Sequence, residues 1–207
     1  MLRELFRYEM PYIDMQGLGV LLQEYKNPND LIWRLVKSGD LIRLKNGFFV
    51  IAEKIRKSPV PFPQLANLLY GPSYLSFEWA LSHYGMIPEG VYVMTSASVM
   101  KSKRFDTPLG AFAYQYLSHV RYSIGIDQKE NFAGRFLIAT PEKALADLIH
   151  CKSRGLESTQ DMLIDLVEAR RIDEDRLKQL DKKHMRELER TYRSRAVKQL
   201  TDALEML

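Results

Sequence analysis

Cysteine is almost missing from this sequence: Cys151 stands alone in 207 residues. One thiol cannot close a disulfide within the chain or build a cysteine-rich zinc site, and such usage fits a reducing compartment. Long apolar runs are lacking too, with no window near the roughly 18 unbroken apolar residues of a membrane-spanning helix. The opening MLRELFRYEM is charged by Arg3 and has no apolar stretch of the signal-peptide kind, so the expected location is the cytoplasm. No glycine-rich phosphate loop is present, because Gly17-Leu18-Gly19 lacks a third glycine and a preceding strand. His83, His119, His150 and His184 show no metal-ligand spacing, and neither a metal nor a cofactor is expected. Charge of one sign is scarce as well: 30 basic residues against 26 acidic leave only +4, too little to name a partner. What remains is an ordinary globular mix, 46% hydrophobic and 27% charged, long enough for one large domain or two small ones.

The position of the charge says more than its sum. Residues 31–57 hold Arg34, Lys37, Arg43, Lys45, Lys54, Arg56 and Lys57 against Asp40 and Glu53, a local surplus of +5. Residues 61–150 are neutral, with seven basic and seven acidic side chains. A second basic cluster lies in 182–198. Three prolines in SPVPFP, residues 58–63, mark a linker, since proline fixes φ and disfavours helix in the residue before it.

Residues 2–8 read as a short helix, and Asp14 as the cap of a second helix over 15–25. In the turn cluster Asn27-Pro28-Asn29-Asp30, Asn29 or Asp30 suits the N-cap of a third helix running to Lys37. At about 100° per residue, Leu31, Ile32, Leu35 and Val36 share one face. The other face carries Asp30, Trp33, Arg34 and Lys37. Gly39 suits the left-handed stop. In DLIRLKNGFFVIA, Leu41, Arg43 and Lys45 alternate with Ile42 and Leu44, and Asn46-Gly47 is a strong hairpin turn before a return strand over 48–52. Three short helices and a basic hairpin predict a winged helix-turn-helix. Its third helix is expected to offer Asn29, Asp30, Trp33, Arg34 and Lys37 to the major groove of double-stranded DNA. The wing is expected to set Arg43 and Lys45 near phosphates.

LVKSGDLIRLKNGFFV resembles the third helix and wing of AbiEi-type antitoxins, the transcriptional regulators of abortive-infection (viral-defence) toxin–antitoxin systems. GPSYLSFEWALSHYGMIPE, residues 71–89, and ATPEKALADLI, residues 139–149, resemble the same family in the same order, so the resemblance spans roughly residues 1–149. One departure is Phe49, where the family's wing more often ends in Gly-x-Tyr. The resemblance implies a regulator that represses its own operon. It also implies an antitoxin region after the winged helix, which counters a nucleotidyltransferase-like toxin functionally rather than in a stable complex.

In the middle, helices are expected over 64–70 and from Ser73 or Ser76 to Tyr84, with Gly85 as the stop. Strands are expected over 91–95, 104–107, 109–117, 121–126 and 135–139. Thr140-Pro141-Glu142 is a helix start, with Ala144, Leu145, Leu148 and Ile149 as its buried stripe. A metal-dependent nuclease of the restriction-endonuclease type needs a strand-borne acidic residue followed by an acid-x-Lys on the next strand. Glu142-Lys143 lacks the intervening residue and Asp106 lacks a partner, so no catalytic residue is expected. The adjacent His150-Cys151 is isolated. The tail reads as short helices, starting at Ser158-Thr159, Asp173, His184 and Arg195, with a shared core of Leu180, Met185, Leu188, Tyr192, Val197, Leu200 and Leu204. Arg186, Arg190, Arg193 and Lys198 are candidates for secondary phosphate contacts.

The expected architecture is therefore α+β. A winged helix-turn-helix occupies 1–57, the linker 58–63, a mixed α/β-sheet antitoxin-like domain 64–150 and a helical bundle packed on it 151–207. The alternatives are a protein-interaction module with a vestigial winged helix, and a nuclease.

Overall fold

The computed structural model describes residues 2–153, 156 and 158–207; residues 154, 155 and 157 of the expected tail lie outside the described residues. The chain is α+β, with a three-stranded and a six-stranded sheet.

The first unit runs α1 (Leu2–Arg7), β1 (Tyr12–Asp14), α2 (Met15–Leu21), α3 (Pro28–Lys37), β2 (Leu41–Lys45) and β3 (Phe48–Ile51). Asp14 caps α2 by accepting from the Gly17 N–H at 2.7 Å. That helix stops at Leu21, short of the expected Tyr25, because the next residues close a tight turn through Tyr25 N–H to Leu22 O at 3.0 Å. The N-cap of α3 is Asn27, not Asn29 or Asp30. Pro28 takes the first helical position, where its fixed φ suits the helix and its missing N–H costs nothing. Gly39 and Gly47 adopt φ of +74° and +76°, as the helix stop and the hairpin turn require. A strand that periodicity does not predict, β1, completes an antiparallel sheet in the order β1-β3-β2. Three residues are too few for a period, so only the pairing of Tyr12 with Val50 and Asp14 with Phe48 reveals it.

The central strand β3 is buried along its whole length. Phe49 and Ile51 face one core with Leu5, Leu18, Leu31, Ile32 and Leu35. Phe48 and Val50, with Leu44 of β2, join the core of the rest of the molecule. The alternation of β-structure thus fastens the first unit to the second by apolar surface on the reverse of its sheet.

The second sheet has the order β6-β7-β5-β4-β9-β8. Its strands are β4 (Ser73–Leu75), β5 (Met94–Ser98), β6 (Lys103–Thr107), β7 (Gly110–Tyr116), β8 (Ile126–Asn131) and β9 (Gly134–Ala139). The pairs β5–β7 and β4–β9 are parallel and the others antiparallel, so the sheet is mixed. Helix α4 (Phe62–Leu69) covers one face, where Tyr114 OH donates to Ala66 O at 2.7 Å. Helices α5 (Phe77–His83) and α7 (Pro141–Lys152) cover the other, where Tyr74 OH donates to Asp147 Oδ2 at 3.0 Å.

Several expected boundaries move. Helix α4 begins at Phe62, inside the expected linker, because a helix accepts proline in its first turn and Pro63 sits there. The expected strand over 91–95 lies three residues later. The expected strand over 121–126 is instead helix α6 (His119–Tyr122), followed by Gly125 at φ +70° and then β8. Gly125 is required there: a Cβ would stand 2.8 Å from Lys143 Cβ. Strand β4 has no counterpart among the expected elements.

The tail holds α8 (Thr159–Ile164), a π-helical turn at Asp165–Ala169, α9 (Glu174–Lys178), α10 (Lys182–Tyr192) and α11 (Arg195–Glu205). Ser158 and Asp161 form a reciprocal capping box. Asp173 caps α9 and Asp181 caps α10. The expected tail core residues are all buried, in the same cluster as the sheet.

Candidate functional site

Two groups of charged side chains stand out, one outside and one inside. The outer group lies on α3. Leu31, Ile32 and Leu35 are buried, which leaves Asn29, Asp30, Trp33, Arg34 and Lys37 exposed along the opposite face. Trp33 is 62% exposed, and the Lys37 ammonium sits 4.9 Å from its ring centroid, a cation–π contact one helical turn on. Arg43 is exposed on the neighbouring β2. Among the described residues Arg34, Lys37 and Arg43 form no ion pair, so their charge stays available to an anion.

The other cations of residues 31–57 are already engaged. Lys54 pairs with Asp40 at 2.7 Å and holds that carboxyl below its usual range, helped by Ser38. Lys57 pairs with Glu9 at 2.5 Å and Arg56 with Glu53 at 3.5 Å. Lys45 closes β2 just before the turn, but its side chain is not free for the expected phosphate contact. A register shift between Arg43 and Lys45 turns it toward α4, where its ammonium donates to Leu69 O at 2.5 Å. Burial, with Lys103 nearby, lowers its pKa. A helix C-terminus leaves carbonyls without intrahelical partners, and a lysine is a natural occupant. Lys45 thus ties the two units together.

The tail candidates divide similarly. Arg186 pairs with Glu205 and Lys198 with Asp202, each at 2.8 Å. Arg190 is exposed on α10. Arg193 is exposed and holds the left-handed residue that ends the helix, at φ +48°. A groove of about 820 Å³ beside β5 and β7 is lined in part by Tyr92, Lys103, Arg104 and Lys152. Two of its cations are paired, Arg104 with Asp106 at 2.8 Å and Lys152 with Glu78 at 2.5 Å.

The inner group centres on Lys143 and Asp147 of α7, an i,i+4 ion pair at 2.8 Å with both side chains wholly buried. Lys143 Nζ donates to Asp147 Oδ1, to Arg121 O at 2.7 Å and to Tyr192 OH, which uses all three of its N–H groups. Tyr192 OH donates on to Asp147 Oδ1, while Ser76 Oγ (2.6 Å) and Tyr74 OH fill Oδ2. Burial lowers the Lys143 pKa, opposed by Asp147, and raises both tyrosines well above their ordinary value. Arg121 closes the ring with two bonds to Tyr192 O, at 3.0 and 2.9 Å. With both members of the ion pair wholly buried and hydrogen-bonded, the network binds β4, α6, α7 and α10 together.

A single buried stripe on α7, as the sequence predicts, leaves no place for this network. At about 100° per residue Ala144, Leu145, Ala146, Leu148 and Ile149 span roughly 200° of the helix, and Lys143, Asp147 and His150 share the rest, so the sequence reads as an ordinary amphipathic helix. Burial of that polar side is set by distant segments, and its charges must then be paired.

The residues weighed for catalysis are held in structural contacts. Glu142 accepts from Asp181 N–H at 3.0 Å, and His150 Nδ1 lies 3.1 Å from Ser194 Oγ. Burial pushes the Cys151 thiol up to about 11, which keeps it protonated at neutral pH. Among the described residues no group of three or more His, Cys, Asp and Glu side chains is placed to hold a metal ion, and no helix is long and apolar enough to cross a membrane.

No protein-family model matches the chain, and no curated protein matches it.

Proposed function

We propose that the protein is a cytoplasmic DNA-binding transcriptional regulator whose first 57 residues act as a winged helix-turn-helix. In this reading α3 lies in the major groove and the β2–β3 hairpin is a short wing. The observation that carries it is the exposed face of α3, where Arg34 and Lys37 stand beside Asn29, Asp30 and Trp33 with Arg43 on the adjoining strand, the three cations forming no ion pair among the described residues. The order helix, strand, helix, helix, strand, strand, with the three strands in one antiparallel sheet, supports it further. Lys45 is withdrawn from the proposed contact set, since its ammonium is held by Leu69 O.

The test is an electrophoretic shift of duplex DNA from upstream of the coding sequence, with the intact chain at low salt. Binding weakens as salt rises. Replacing Arg34 and Lys37 together by alanine lowers affinity and reduces the log–log salt slope by about two, at roughly 0.9 for each phosphate no longer neutralised. If the intact chain shifts no DNA, the regulator reading is wrong.

The resemblance to AbiEi-type antitoxins extends the proposal to repression of the protein's own operon and to countering a nucleotidyltransferase-like toxin. Co-expression with the product of the adjacent reading frame tests that part: rescue of growth supports it. The exposed Trp33 also suits a protein-interaction surface, because exposed tryptophans anchor interfaces. Capture of a nucleotidyltransferase without any DNA affinity favours that second reading.

A further inference from the structure

We infer that Trp33 is a specificity-determining residue that reads the methyl groups of thymine in the major groove. This rests on the DNA-binding reading above. A tryptophan 62% exposed on a helix whose buried face is otherwise filled with Leu31, Ile32 and Leu35 gains nothing from the fold for its apolar area. It lies in the middle of α3, one turn after Asn29 and one turn before Lys37, and the Lys37 ammonium over the ring limits where the indole can go. Arg34 follows it in sequence, Lys37 stands over its ring and Arg43 lies exposed on β2; among the described residues none of the three forms an ion pair, so the partner that covers the indole is anionic on its outside and apolar where the ring lands. Duplex DNA has that pattern: phosphates flank a groove whose one apolar projection is the C5-methyl of thymine. Arginine and lysine then position the helix on the backbone, while the indole discriminates between bases.

The intact chain is used to select duplexes from a random-sequence pool at low salt. The recovered duplex is then rebuilt with deoxyuridine in place of thymidine, which removes the methyl and keeps the base pairing. The native chain is expected to bind the uracil duplex about fourfold more weakly per methyl contacted, the equivalent of one buried carbon. Trp33→Ala is expected to bind both duplexes alike, and Trp33→Phe to keep part of the difference. The residue is exposed, so both variants retain the fold, which circular dichroism checks. Equal binding of the two duplexes by the native chain, or a full difference retained in Trp33→Ala, overturns the inference and leaves DNA binding intact. Recovery of no duplex removes the DNA-binding reading and this inference together. Loss of a dimer in Trp33→Ala, with DNA affinity unchanged, assigns the indole to contact between copies and also overturns it.

Discussion

Helices α3 and α7 carry charged residues at the same spacing and use them in opposite ways. In α3, Asp30 and Arg34 are four apart, as are Trp33 and Lys37, and all four side chains are exposed. In α7, Lys143 and Asp147 are four apart and both are wholly buried. The spacing is local and identical; the surroundings differ. Helix α3 covers its sheet from one side and leaves its other face to solvent. Helix α7 lies between the large sheet and the tail helices, so Lys143 and Asp147 in its middle lose their water. The difference teaches that a charge in the open is available for binding, whereas a charge in the core serves the fold once each donor and acceptor is matched.

The sharpest way to break the comparison is to remove one half of the inner pair. Asp147→Ala leaves Lys143 charged and unpaired in the core and strips Tyr74, Ser76 and Tyr192 of their acceptor. A stability loss of about 3–5 kcal/mol is expected by chemical denaturation. A loss below about 1 kcal/mol means that the network does not hold the core together. The outer group gives the converse result. Alanine at Arg34 and Lys37 together is expected to change stability by no more than about 0.5 kcal/mol, while DNA affinity and salt slope fall.

Acid separates the two regions more gently. All four histidines lie outside residues 1–57, and burial lowers the pKa of His83 and His150. The unfolded chain takes up these protons below about pH 6.5, and the folded chain resists them until lower pH. Their contribution to stability is full above about pH 6.5 and is lost as pH falls through the folded values. The denaturation midpoint should therefore drop between about pH 7.5 and about pH 5.5, with a shallower drop in the His83→Gln, His150→Gln double variant. The smallest effect belongs to the tail. Alanine at Arg186 and Lys198 removes two exposed, already paired cations whose attraction water and salt screen, so the denaturation midpoint should stay where it is. The DNA salt slope should not move. A slope reduced by these two substitutions puts the tail in the DNA footprint and blurs the contrast between the two regions.

Much of the fold was legible because its signals are local. Asn46-Gly47, Thr140-Pro141-Glu142 and Ser158-Asp161 mark a turn and two helix starts through bonds among near neighbours. The exposed face of α3 was legible for the same reason, since three buried residues at helical spacing imply the five left outside. The strands β1 and β4, three residues each, were not legible, because nothing in so short a segment is periodic. Residues 121–126 misled because their apolar content suits a strand, while Gly125 sets a turn against α7 that depends on how closely Lys143 approaches.

By itself, then, the sequence determined the capped starts at Asp14, Thr140, Ser158 and Asp173, where the hairpin turns and which side of α3 meets solvent. Each depends on residues within one or two turns of chain. Only the tertiary structure decided what became of the cations. It withdrew Lys45 to a carbonyl 24 residues away and drew Lys143 and Asp147 under a tyrosine 73 residues from Asp147. It left Arg34, Lys37 and Arg43 without an ion pair among the described residues. A charge acts according to the water and counter-charges around it, and in a folded chain those are set by segments far apart in sequence.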